Sequence, residues 1–198
     1  MNLRTLSPAD VRSILGCGKL DQHVPFEYEN STLSSRRAIS RESRAVQIKS
    51  GAIEKLCHGL SEHLFPTMCL NEIETIIGVC DEGLVFSSAL AHRLNDDYHH
   101  PKRKRRAIAA YATANAFGGV DLFCEEGMVL RNPGSAIIVQ AFVYPENLCP
   151  TAHVAAAIKT AGGKAVATAA VFNHGVPRDE CKGFLGTPML YFLSDLKS

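Results

Sequence analysis

The sequence contains no Cys-x-x-Cys pair, and its seven cysteines, at positions 17, 57, 69, 80, 124, 149 and 181, make an odd set. A disulfide framework is therefore not expected, and the thiols read as reduced side chains of a cytosolic protein. No apolar run approaches the roughly 20 residues of a membrane span. The first residues, MNLRTLSPADVRSIL, hold no long apolar stretch of the secretory kind. The expectation is a cytoplasmic chain with no membrane association. An excess of one charge is also missing: 21 Lys and Arg against 20 Asp and Glu leave a formal charge of +1. Overall charge thus supplies no pull toward nucleic acid or anionic lipid. Neither an internal repeat nor a domain linker is apparent.

What is present is enough apolar material for one core. With 198 residues and 46% hydrophobic side chains, the expectation is a single domain over 1–198. Ser7, Pro8, Val11, Ile14 and Leu15 suit a short capped helix. The Ser- and Arg-rich stretch that follows has no core face and reads as an irregular or β-rich hood, over about 1–42. From about 43 onward an α/β core is expected. Apolar residues at helical spacing from Val46 to Leu64 predict an amphipathic helix ending before Pro66. The run IETIIGVC predicts a strand over Ile73–Cys80, then a turn at Asp81-Glu82-Gly83, then the helix LVFSSALAHRL. Further strands are expected in RRAIAAYAT, SAIIVQAF, KAVATAAVF and PMLYFLS, with a hairpin around Asp121–Leu130 and a helix over Thr151–Ala161. Strands alternating with helices predict a mainly parallel sheet covered on both faces, with function at the C-terminal ends of its strands.

The order of these pieces, from about Val11 to Leu196, resembles the orotate phosphoribosyltransferase branch of the type I phosphoribosyltransferases. IETIIGVCDEGLVFSSALAHRL is similar to that family's strand, pyrophosphate loop and helix. NPGSAIIV, AGGKAVATAAVF and GFLGTPMLYFLSDL match its later strands. The resemblance implies a central sheet flanked by helices, a small N-terminal hood and a homodimer. It also implies transfer from phosphoribosyl diphosphate (PRPP) with magnesium, through two adjacent acids and a Thr/Gly-rich phosphate loop at a helix N-terminus.

The chain departs from that pattern. Gln140-Ala141 stands where the two acids are expected, and the loop after Tyr144, Pro145-Glu146-Asn147-Leu148-Cys149-Pro150-Thr151, has two prolines and no glycine. Proline brings no N–H to a phosphate cradle. The stretch Tyr111–Gly119, in the place of the family's catalytic loop, has no cation, and Asn173-His174 replaces the family's Asp-Arg pair near the base. The expectation is a degenerate phosphoribosyltransferase-like protein, or pseudoenzyme. It would bind a nucleotide, another phosphorylated small molecule or a protein partner. No cofactor is expected to be required, and Mg2+ would enter only with PRPP. The alternative is an active orotate-type or other nucleotide-processing enzyme with an altered site, its candidate catalytic residues Glu146 and Tyr144. Candidate ligand-binding residues are Asp81, Glu82, Gly83, Gln140, Tyr144, Glu146, Asn147 and Thr151.

Other features have plainer readings. Lys102, Arg103, Lys104, Arg105 and Arg106 form a basic patch whose simplest role is a solvated surface, with an RNA-associated module as a further alternative. His99 and His100 lack a carboxylate or cysteine at ligand spacing, so no metal site is expected. Cys149 and His153 are open to a nucleophile–base reading, but an incidental thiol is the commoner case. Arg36, Arg37, Arg41 and Arg44 suit either phosphate contact or surface ion pairs.

Overall fold

The computed structural model describes residues 52–68, 72–96, 106–143, 150–173 and 175–195. The opening helix and the hood expected over 1–42 lie outside them. Among the described residues, four α-helices and six strands follow in chain order: α1 (Ala52–Leu64), β1 (Thr75–Val79), α2 (Cys80–Asp96), β2 (Ile108–Ala114), β3 (Val120–Cys124), β4 (Ser135–Val143), α3 (Pro150–Thr160), β5 (Lys164–Asn173), α4 (Cys181–Leu185) and β6 (Leu190–Asp195). The strands form one sheet in the order β3-β2-β1-β4-β5-β6. All neighbours are parallel except β2 and β3, which form an antiparallel hairpin.

The continuous apolar runs follow from burial on both faces. In β1 every residue is buried, and successive side chains alternate between two cores. Ile76 joins Leu56, Leu60 and Leu64 of α1 and Phe86, Leu90 and Leu94 of α2. Ile77 joins Ala136 and Ile138 of β4 and Val154, Ala155 and Ile158 of α3 on the other face. A third cluster around Leu185, Leu190 and Phe192 seats α4 at the β6 end. At 13 residues, α1 is too short to be stable alone in water. Its three buried leucines each contribute roughly 1.5–3 kcal/mol through burial, so tertiary packing holds the helix.

Two expectations are corrected. Asp81-Glu82-Gly83 is not a turn, because the chain passes from Val79 at the end of β1 directly into α2 at Cys80. Short α4, over Cys181–Leu185, has no counterpart in the sequence reading, since five residues are too few to display a helical period. The expected hairpin near 121–130 is present as a return onto β3: Cys124 N–H donates to Met128 O, and Leu130 N–H to Leu122 O.

Candidate functional site

The direct passage from β1 into α2 depends on two glycines. A β-carbon on Gly78 would lie 2.0 Å from the carbonyl carbon and oxygen of Gly83, and one on Gly83 would lie 2.6 Å from Gly78 C and 3.3 Å from Val139 O. The strand and the first turn of the helix therefore touch backbone to backbone, and that turn also lies against the β4 carbonyl of Val139. Gly83 was a sequence candidate. Gly78 was not singled out, although a lone glycine inside a β-branched run signals close backbone approach.

Strands β1 and β4 are neighbours, but the helices that leave them pack on opposite faces of the sheet. This is a topological switch point, where an open α/β sheet has a crevice beyond its strand ends. Gln140 lies within β4, one residue past Val139, where the pairing with β1 ends, and three residues before the last strand residue, Val143. Its residue is 6% exposed, and its Nε2 is the buried side-chain nitrogen or oxygen that lacks a hydrogen-bond partner among the described residues. Alternation along β4 puts it on the face of Ala136 and Ile138, which pack with α3. In the first turn of α3, Thr151 is fully buried.

Magnesium, which the resemblance implies, requires oxygen ligands of the carboxylate kind. Where the resemblance places the two acids, the residues are a neutral amide with an unsatisfied donor and, at Ala141, a methyl group. These do not fit the ion. Tyr144, Glu146, Asn147 and Cys149 lie outside the described residues. Among the described residues no group of three or more His, Cys, Asp and Glu side chains could hold a metal ion.

In the place of the family's catalytic loop, β2 and β3 are joined by a short turn over 115–119. Asn115 N–H donates to Gly119 O at 2.9 Å, while Asn115 Oδ1 accepts from Phe117 N–H at 3.0 Å and Gly119 N–H at 2.9 Å. Its Nδ2 donates to Asp121 at 3.1 Å. Gly118 has a φ of 78°, a conformation that suits glycine. The turn is closed by its own hydrogen bonds and holds no cation.

Asn173, at the end of β5, is also occupied locally. Its Oδ1 accepts from Val176 N–H at 2.8 Å and its Nδ2 donates to Val176 O at 3.1 Å, which closes the next turn rather than presenting an amide to a ligand. His153 is exposed on α3 and lines a separate concavity of about 460 Å3, with Asp121, Leu122, Leu130, Ala157 and Thr160 among its walls. Of the basic patch, only Arg106 is described. It is exposed, with its guanidinium 4.0 Å from the Asp96 carboxylate, a surface pair worth about 0–1 kcal/mol. Asn95 clamps the base of this segment by exchanging hydrogen bonds of 2.9 and 2.8 Å with the Ala107 backbone.

No family model and no curated protein matches the sequence. Solved structures do resemble the fold. Orotate phosphoribosyltransferase from Aeropyrum pernix aligns with a TM-score of 0.57 and 17% identity over 78% of this chain and 77% of that one. The Mycobacterium tuberculosis orotate enzyme, solved with inorganic phosphate, gives 0.53 and 14% over 78% and 76%. Adenine phosphoribosyltransferase from Thermoanaerobacter pseudethanolicus gives 0.51 and 13% over 77% and 86%. The chain has a type I phosphoribosyltransferase-like fold. Among the described residues no helix is long and apolar enough to cross a membrane.

Proposed function

Given this fold, we propose that the chain works as a binding protein, holding a nucleotide-like ligand or a protein partner, and that it has lost conventional PRPP-dependent transfer. The observation that carries the reading is the combination of neutral Gln140-Ala141 in β4 with a cation-free turn at 115–119. Transfer chemistry needs charge at both positions. Acids hold the ribose and metal, and cations stabilise the departing pyrophosphate. Neutral side chains at one site and a self-bonded turn at the other supply neither. The expected setting is the cytoplasm, and the expected state is a homodimer, as the resemblance implies.

A second reading, an active phosphoribosyltransferase with an altered site, draws support from the retained switch point and from two long helices that start beside it, α2 and α3. The N-terminus of such a helix favours phosphate. Glu146 and Tyr144 are then the candidate catalytic residues.

The two readings separate in one experiment. Purified protein is titrated with PRPP and magnesium, and product formation is followed across nucleobases. Absence of magnesium-dependent donor binding and of turnover is the expected result. Base-dependent consumption of PRPP that is lost in Glu146→Gln would overturn the binding-protein reading in favour of the enzyme.

A further inference from the structure

We draw no further inference here: the strongest candidate, the groove of about 460 Å3 between the β3 hairpin and α3, walled by Val120, Leu122, Leu130, Ala156 and Ala157, is a mainly apolar face, and nothing in the described structure shows what covers it.

Discussion

Substituting alanine for Gly78 should damage the fold more than any other glycine-to-alanine change at the switch point. The added methyl would lie 2.0 Å from both the carbonyl carbon and oxygen of Gly83 and 2.5 Å from Leu84 N. All three are backbone atoms, so no side chain can swing aside, and α2 must lift away from β1. Overpacking a core usually costs about 1–3 kcal/mol. Here the helix that would shift also carries the buried Phe86, Leu90 and Leu94, so about 3 kcal/mol or more is expected. For a chain of this size that is a fall in Tm of about 6–12 °C. Gly83→Ala should cost less, since its nearest contact would be at 2.6 Å. Gly183→Ala is the control: nothing lies within 4 Å of its added methyl, and alanine in helix α4 should be neutral or stabilising by up to about 1 kcal/mol. Urea denaturation of the three variants gives the ranking directly. A Gly78→Ala midpoint within about 0.5 kcal/mol of wild type would refute the backbone contact as the device that joins β1 to α2.

Two further perturbations follow from the same geometry. Burial pushes the Cys57 thiol from 9.0 up to about 12, against the opposing influence of Arg93. Because the unfolded thiol ionises first, the associated stability is full below about pH 9 and is lost as pH rises toward 12. The urea midpoint should therefore fall between pH 9 and 10.5, and Cys57→Ala should reduce that slope; an identical slope would exclude Cys57 as its source. Asn115→Ala removes the acceptor for Phe117 and Gly119 N–H and should cost about 1 kcal/mol. Hydrogen exchange at those two amides should quicken, and unchanged protection would show that backbone bonds alone close the turn.

The sequence alone determined the order of elements and the residue types along each strand. β-branched and alanine-rich runs bounded by Gly, Pro and Asn predict strands because such side chains suit a sheet buried on both faces. Helix α1 was legible through its leucines at helical spacing, and the neutral residue types at Gln140-Ala141 could be read directly. Tertiary structure decided what local pattern does not encode. Asp81-Glu82-Gly83 has turn composition, but the fit of Gly78 against Gly83 allows the helix to begin at Cys80. Asn115 and Asn173 lie where the resemblance places a catalytic loop and a base-side pair. Only the folded turns show that each is engaged by its neighbours, Asn115 with Phe117, Gly119 and Asp121, and Asn173 with Val176. Gln140 shows the opposite: its chemical type is legible in the sequence, but only its place in the folded sheet decides that it is buried and that its Nε2 lacks a partner among the described residues. Hydrogen-bond satisfaction is a property of surroundings assembled from distant parts of the chain, whereas the period and charge of a segment belong to the segment itself.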